Sequence, residues 1–327
     1  MSDKKPIPIG VEDFKMLVDK EYYFIDKTLL IKDLLDAKSM ISLITRPRRF
    51  GKTLNMSMIQ RFFEKTEESN AYLFEGLKIS DAGEEYLKHQ GQYPVISVSL
   101  KGLKQDTYKQ AFFVFKERIT NEFERHQYVY DSGVLPVNKY KRFEKILIGN
   151  AKDDEYLTAL QLLSECLEKY HNKKVILLID EYDVPLENAH FRGFYDEMVS
   201  LIRSVFESVL KTNPSLEFAV LTGCLRVSKE SIFTGMNNLR MYPVTDNSLS
   251  EYYGFTQSEV EELADYYDMQ DKLDEMKTWY DGYLFGKTEI YNSWSIVNYI
   301  SSVRGGNDIS CKAYWINTSS NSIIRQL

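Results

Sequence analysis

The sequence predicts an α/β protein, in which a mainly parallel sheet lies between two layers of helices (a three-layer αβα fold). The runs Met40–Ile44 and Lys173–Asp180 are short and apolar, as buried parallel strands are. The segment Tyr93–Leu100 alternates apolar and polar side chains and predicts another strand. Helical patterns separate these strands along the chain, which is the order expected of an α/β fold.

A basic turn follows the first strand. It spans Arg46–Thr53, called the basic loop below, and closes on Gly51, Lys52 and Thr53. A strand followed by a turn ending in Gly-Lys-Thr is the P-loop arrangement. The glycine lets the backbone approach phosphates, the lysine reaches the β- and γ-phosphates, and the threonine hydroxyl can ligate Mg²⁺. The usual pattern begins with Gly, so for this segment alone a basic surface turn is an alternative. The predicted ATP-contacting residues are Arg46, Pro47, Arg48, Arg49, Phe50, Gly51, Lys52, Thr53 and Leu54.

Two acids end the strand Lys173–Asp180. Asp180 would hold Mg²⁺ through water beside Thr53, and Glu181 would polarise the attacking water. For an isolated Asp-Glu pair the alternative is a helix N-cap with a solvated neighbour. The basic loop upstream favours the joint interpretation, a site for ATP and Mg²⁺ with Glu181 as a catalytic residue.

The order of the strands predicts the subclass. One strand, Tyr93–Leu100, lies in sequence between the strand before the basic loop and the Asp-Glu strand, as in P-loop ATPases of the additional-strand type. Thr222 follows the strand Leu216–Leu221, where such proteins place a residue that senses the γ-phosphate. The alternative is a threonine that only ends a strand. Arg226 or Arg240 could act as an arginine finger, in cis or across a homo-oligomer, or could be a surface ion-pair partner.

The predicted domains are an ATPase core at 1–245 with a helical insertion at about 101–170, a helical lid at 246–300, and a linker or truncated region at 301–327. Within the lid, Thr256 and Glu259 form a capping-box pattern. A plain helical subdomain is the alternative to a lid. A last strand is expected at Met241–Val244. The other predicted helices are Val11–Val18, Leu29–Ala37, Leu54–Lys65, Asp106–Arg125, Asp154–Tyr170 and Phe194–Val209.

Composition is that of a globular protein of 327 residues, with 43% hydrophobic and 27% charged residues. The net charge of −7 predicts no strong binding of nucleic acid or anionic membrane. The three cysteines are far apart and have no metal-site spacing. The first residues lack the apolar core of a signal peptide, and no segment has the apolar length of a membrane span. We therefore expect a soluble cytoplasmic protein.

The chain resembles the AAA-ATPase-like family of P-loop proteins of bacteria and archaea. In that family the Arg-Pro-Arg-Arg-Phe-Gly-Lys form of the loop is typical, whereas Ser293 stands where the family usually has Pro. The resemblance implies ATP binding and hydrolysis, and a C-terminal nuclease-like domain that this chain lacks, so the chain is expected to be a fragment or truncated product. The blocks that carry the resemblance are Ile9–Phe14, Phe24–Thr28, Arg46–Leu54, Leu178–Leu186, Thr222–Gly223, Lys229–Leu239 and Tyr280–Tyr283.

Two functions of different classes remain. The first is a Mg²⁺-dependent ATPase whose hydrolysis drives closure between core and lid. The second is a nucleotide-gated binding module that hydrolyses little and controls a partner or the missing C-terminal domain. Glu181 favours the enzyme, because a protein that only binds nucleotide needs no base beside Asp180.

Overall fold

The computed structural model describes residues 4–211, 213–224, 232–233, 235–306 and 311–314. They form two compact units, each assembled from separate stretches of chain. Unit 1 contains the described parts of Met1–Leu30, Arg46–Met58 and Tyr242–Leu327. Unit 2 contains the described parts of Ile31–Thr45 and Ile59–Met241. The basic loop therefore belongs to the same unit as the C-terminal part of the chain.

Five strands within the described residues form one sheet, in the order β2-β3-β4-β1-β5. The pairs β1–β4, β3–β4 and β2–β3 are parallel, so the sheet is mainly parallel as predicted. The strand that separates β1 from β3 is β4, whereas β2, which lies between them in sequence, is at the edge. The strands are β1 (Ile41–Thr45), β2 (Val95–Ser99), β3 (Val175–Asp180), β4 (Leu216–Gly223) and β5 (Leu239–Tyr242).

The predicted helices occur close to their expected positions. The structure adds others that the sequence did not predict one by one, before β2, between β2 and β3, directly after β3 and within residues 273–304. They are α1 (Phe14–Asp19), α2 (Leu29–Ala37), α3 (Lys52–Phe63), α4 (Glu84–Leu87), α5 (Tyr108–Arg125), α6 (Gln127–Asp131), α7 (Val137–Leu147), α8 (Asp153–Leu157), α9 (Ala159–His171), α10 (Val184–Arg192), α11 (Tyr195–Phe206), α12 (Gln257–Tyr266), α13 (Leu273–Tyr280) and α14 (Ser293–Arg304). The last predicted strand begins two residues earlier than expected and ends before Pro243, which has no N–H to donate to a sheet.

Helices cover both faces of the sheet in unit 2. Successive strand residues point to opposite faces, so Phe218 and Ala219 of β4 mark the two sides. The ring of Phe218 packs against Phe63 at the end of α3, with ring centroids 5.4 Å apart. Ala219 belongs instead to the large buried cluster that includes Leu163 and Leu167 of α9. This arrangement fits the predicted three-layer α/β fold.

Unit 1 has a core of its own. Buried side chains from α12, α13 and α14 pack together, among them Leu263, Met276 and Ile300. Thr256 and Glu259 form the predicted capping box at the start of α12. Glu259 also forms a salt bridge with Lys27, a largely buried lysine whose Nζ lies 2.6 Å from Oε2 of Glu259. The ion pair links the N-terminal stretch of the unit to its C-terminal helices.

The unit division differs from the order of domains along the chain. The C-terminal stretch of unit 1 begins at Tyr242. The predicted lid, however, shares its unit with Arg46–Met58 and with the N-terminal residues. The antiparallel hairpin of β6 (Tyr283–Phe285) and β7 (Thr288–Ile290) lies inside this stretch, between α13 and α14.

Candidate functional site

The basic loop makes a tight connection between β1 and α3. Arg49 and Gly51 both have positive φ, +72° and +80°, in the left-handed region. A Cβ added to Gly51 would meet no heavy atom within 4 Å, so the glycine is required by the backbone conformation and not by crowding. The first helical hydrogen bond, from the N–H of Asn55 to the carbonyl of Gly51, is 3.0 Å long. Helix α3 therefore begins at the predicted phosphate-contacting residues.

The ammonium of Lys52 lies against the start of the basic loop. Its Nζ donates to the carbonyl oxygens of Arg46 at 2.9 Å and Pro47 at 2.8 Å. The side chain is nearly buried, and an ammonium has three donors. The lysine predicted to reach phosphate thus also closes the loop on itself. Thr53 and Leu54 follow in the first turn of α3, both half-buried.

Arg46 is fully buried in unit 1. Its guanidinium donates to the carbonyl oxygens of Tyr242 at 2.8 Å and Ser248 at 3.3 Å. The guanidinium carbon lies 5.3 Å from the ring centroids of both Tyr253 and Phe285. Burial lowers the pKa of this guanidinium, and nearby Tyr253 opposes the shift. The side chain has a packing role that the sequence did not indicate, and its contact with nucleotide stays a prediction.

Two further loop side chains contact C-terminal residues of the same unit. Phe50 is buried between Tyr283 and Phe285, with ring centroids 4.8 and 5.1 Å away. The guanidinium of Arg49 lies over the ring of Trp294, 4.1 Å from its centroid. Pro47 and Arg48, which precede Arg49 in the loop, are half-buried. The sequence did not indicate Tyr283, Phe285 and Trp294 as neighbours of the loop, although the Tyr280–Tyr283 block contains one of them.

Ser293 adds a contact at the start of α14. Its hydroxyl donates to the carbonyl of Arg49 at 3.1 Å. Ser293 is the first residue of the helix, a position where proline is well tolerated because the N–H has no partner within the helix. A proline there would preserve the helix start and remove the hydroxyl. The departure noted at this position therefore adds one hydrogen bond to the basic loop.

The second group of predicted residues lies in unit 2, at the carboxyl ends of β3 and β4. Asp180 is buried, and the hydroxyl of Thr222 donates a hydrogen bond to its carboxylate. In the sheet, Thr222 also pairs with Ile44, next to the last residue of β1. Parallel strands end at one edge, so the structure brings Asp180, Thr222 and the end of β1 to that edge of the sheet.

Glu181 adopts a left-handed conformation with φ of +55°, which is unusual for a non-glycine residue. The backbone turns there from β3 into α10: the N–H of Val184 donates to the carbonyl of Glu181 at 3.2 Å. The next residue, Tyr182, still donates to the carbonyl of Thr222 at 3.0 Å. Backbone of this kind is strained for a residue with a Cβ, and the role of Glu181 in catalysis stays a prediction.

Gly223 permits close packing at this edge. A Cβ on it would lie 2.5 Å from an atom of the Tyr182 ring and 2.7 Å from a carboxylate oxygen of Asp183. Asp183 is buried and accepts a hydrogen bond of 2.8 Å from the N–H of Cys224. Sequence analysis assigned no role to Tyr182 and Asp183. The signal in the sequence was their position two and three residues after Asp180, inside the block Leu178–Leu186 that carries the family resemblance.

Of the two candidate arginine fingers, only Arg240 falls within the described residues. Arg226 lies outside the described residues. Arg240 is exposed on β5. Within the described residues, no group of three or more His, Cys, Asp or Glu side chains could hold a metal ion. The helices of the described ranges are all too short or too polar to cross a bilayer.

Comparison with known proteins gives a family match. The model of the AAA-ATPase-like family, described as a predicted AAA-ATPase, matches residues 8–233. A curated relative, an uncharacterized protein in the vnfD 5′ region of Azotobacter chroococcum mcd 1, is 27% identical over 301 residues. The aligned region covers 90% of this chain and 51% of the relative, so the chain spans about half the length of that protein.

Proposed function

The chain belongs to the AAA-ATPase-like family, and from this premise we propose that it binds ATP with Mg²⁺ and hydrolyses the terminal phosphoanhydride bond. The observation that carries the proposal is the basic loop, where Lys52 begins a helix after a glycine of positive φ. Backbone N–H groups at a helix N-terminus favour phosphate oxygens, and the ammonium adds a mobile positive charge.

In this proposal the basic loop, Arg46 to Leu54, contacts the nucleotide, and Lys52 exchanges its loop carbonyls for phosphate oxygens. That exchange replaces neutral acceptors with charged ones, which form the stronger hydrogen bonds. The carbonyls of Arg46 and Pro47 lose a donor at the same moment. In this proposal the exchange changes the hydrogen-bond partners of the Lys52 side chain, and the backbone of the loop keeps its conformation.

Thr53 and Asp180 are the proposed protein contacts of Mg²⁺, which when bound neutralises phosphate charge. Hydroxyl and carboxylate oxygens are the ligand types that this ion prefers. The donor set fits: Asp180 keeps its buried carboxylate oriented by the Thr222 hydroxyl. A carboxylate held in this way is suited to accept hydrogen bonds from water molecules around an ion.

Glu181 is the proposed general base, and Thr222 the proposed sensor of the γ-phosphate. Glu181 follows directly on Asp180, and its φ of +55° turns the chain out of the strand. Arg226 or Arg240 would supply positive charge to the transition state, from the same chain or from a neighbouring copy. The strand order, with β4 between β1 and β3, supports the additional-strand type of ATPase.

Residues 246–300 are the proposed lid, and hydrolysis would change its closure over the core. A nucleotide-gated binding module with little hydrolysis is the second candidate function. The packing of the basic loop with Tyr253, Phe285 and Trp294 favours the binding module, because a nucleotide bound at the loop would change the contacts of these C-terminal residues. In a longer protein of this family, the controlled partner would be the C-terminal nuclease-like domain that the resemblance implies.

Two measurements test the proposal. Calorimetry with a non-hydrolysable ATP analogue and Mg²⁺ measures binding, and steady-state phosphate release with ATP measures turnover. We expect binding and Mg²⁺-dependent release that a chelator abolishes. Binding without release would favour the gated module over the enzyme. Absence of both would overturn the nucleotide site altogether.

A further inference from the structure

Two side chains of the basic loop point into the body of unit 1. Arg46 and Phe50 are both buried, at 0% and 1% exposure. The ring of Phe285 lies 5.3 Å from the guanidinium carbon of Arg46 and 5.1 Å from the ring of Phe50. Tyr253 and Tyr283 complete what we call the aromatic anchor (Tyr253, Tyr283 and Phe285). Phe285 is the member that contacts both loop residues.

Main-chain contacts reinforce the aromatic anchor. The N–H of Gly254 donates to the carbonyl of Phe50 at 3.2 Å. Gly254 has a φ of +85°, and a Cβ there would lie 2.7 Å from the ring of Phe50. The chain next to Tyr253 thus passes so close to the loop that a side chain would collide with it. The loop is held from its first residue and from its fifth.

The charge of Arg46 makes this arrangement specific. A buried guanidinium is costly unless carbonyl oxygens and ring faces compensate it. Here the carbonyls of Tyr242 and Ser248 and two rings of the anchor surround it. If the loop moved away from the anchor, the Arg46 guanidinium would lose these carbonyl and ring contacts. The carbonyl of the same residue accepts the hydrogen bond from Lys52, so the anchor sets the place of an acceptor for that ammonium.

We propose that Phe285, acting through Arg46 and Phe50, is a positioning residue that holds the basic loop in its phosphate-binding conformation. The inference rests on the proposed function for its effect on ATP, but the anchoring itself is measurable without nucleotide. Phe285 is not among the residues predicted to contact the nucleotide. Its role is to increase the fraction of molecules whose loop is ready to bind.

The test compares Phe285→Ala with Ile300→Ala. Ile300 is fully buried in α14 of the same unit, in the cluster that contains Leu263 and Met276 and neither Phe285 nor Phe50. Both substitutions remove a large buried side chain from unit 1. Phe285→Leu serves as a milder variant, because it keeps most of the apolar volume and loses the ring face towards Arg46.

Hydrogen exchange without nucleotide is the first readout. We expect faster exchange of the amides of residues 48–55 in Phe285→Ala and Phe285→Leu, and no change there in Ile300→Ala. The second readout is the split between KM and kcat for ATP. If the competent loop falls to about a tenth of the population, KM rises about tenfold while kcat at saturation is preserved.

Each result bears on a distinct statement. Equal exchange of these amides in Phe285→Ala and the parent would overturn the anchor. Faster exchange with unchanged KM and reduced kcat would show a structural role only and would also overturn the positioning role. A parent protein that binds no ATP would refute the proposed function, and the exchange comparison would still decide whether Phe285 holds the loop.

Discussion

The hydroxyl of Thr222 donates its hydrogen to the carboxylate of Asp180, at the ends of the neighbouring parallel strands β4 and β3. Both side chains are buried. A buried threonine hydroxyl needs a hydrogen-bond partner, and here that partner is the Asp180 carboxylate. The contact makes Thr222 a direct neighbour of the carboxylate proposed to hold Mg²⁺ through water, and it links the residue proposed as a γ-phosphate sensor to that carboxylate.

Replacing Thr222 by Val keeps the shape of the side chain and removes the donor. The buried Asp180 carboxylate would lose a hydrogen bond, which costs about 1–3 kcal/mol of unfolding free energy. We expect Thr222→Val to lower the urea midpoint and raise the Mg²⁺ concentration needed for phosphate release. Thr222→Ser keeps the hydroxyl and should stay near the parent in the Mg²⁺ titration. If Thr222→Val and the parent have the same urea midpoint and the same Mg²⁺ dependence, the hydrogen bond contributes neither to stability nor to the proposed Mg²⁺ site.

Lys52→Ala should remove ATP affinity. Each charge-assisted hydrogen bond contributes on the order of 1.5–3 kcal/mol, so the dissociation constant should rise by at least about tenfold. Calorimetry with the ATP analogue measures this change. Lys32→Ala is a matched control, because Lys32 lies on the surface of α2 in an ion pair with Asp36. A folded Lys52→Ala protein that binds ATP as the parent does would exclude the P-loop assignment.

Glu181→Gln separates the two proposed functions. Glutamine keeps the size of the side chain but is no base, so turnover should fall by roughly 10²–10⁴-fold. Asp180 and Thr53 remain, so the analogue should bind about as tightly as before. Phosphate release measures the turnover rate, and calorimetry on the same sample measures the dissociation constant of the analogue. If release changes by only a few-fold, Glu181 is a neighbour of the helix start and not the base.

The protonation of His171, at the end of α9, is expected to make the stability of unit 2 sensitive to acid. Burial lowers its pKa from 6.5 to about 4, with smaller contributions from Lys65 and His126. The unfolded chain therefore binds a proton that the folded chain does not, between about pH 6.5 and 4. Stability from this group is complete above pH 6.5 and is lost as the pH falls towards 4.

Thermal unfolding midpoints across this pH range measure the effect. His171→Gln keeps a polar side chain near the hydroxyl of Tyr128, which lies 2.9 Å from Nε2 of His171. The midpoint of this variant should decline less steeply with acid than that of the parent. Parallel curves for variant and parent would show that other groups cause the acid sensitivity.

The amino-acid sequence by itself determined the strands of the large sheet, the capping box and the position of the motif residues, because each depends on a local pattern. The β6–β7 hairpin was not predicted. The apolar run before Arg46 and the acids after Ile179 can be located without knowledge of any contact. Gly51 is required by a backbone torsion within its own loop. Residue types at close spacing contain this information, since periodicity and torsion preferences act over a few residues.

Only the tertiary structure decided which distant residues meet. That β4 and not β2 separates β1 from β3 is a matter of pairing between strands, which the apolar runs do not encode. The guanidinium of Arg46 could not be assigned to the carbonyl of Tyr242, 196 positions away, from any spacing in the chain. Phe285 gained its place beside Arg46 and Phe50 because burying an apolar ring and satisfying a buried cation are requirements of the assembled unit, met by whichever residues the fold brings there.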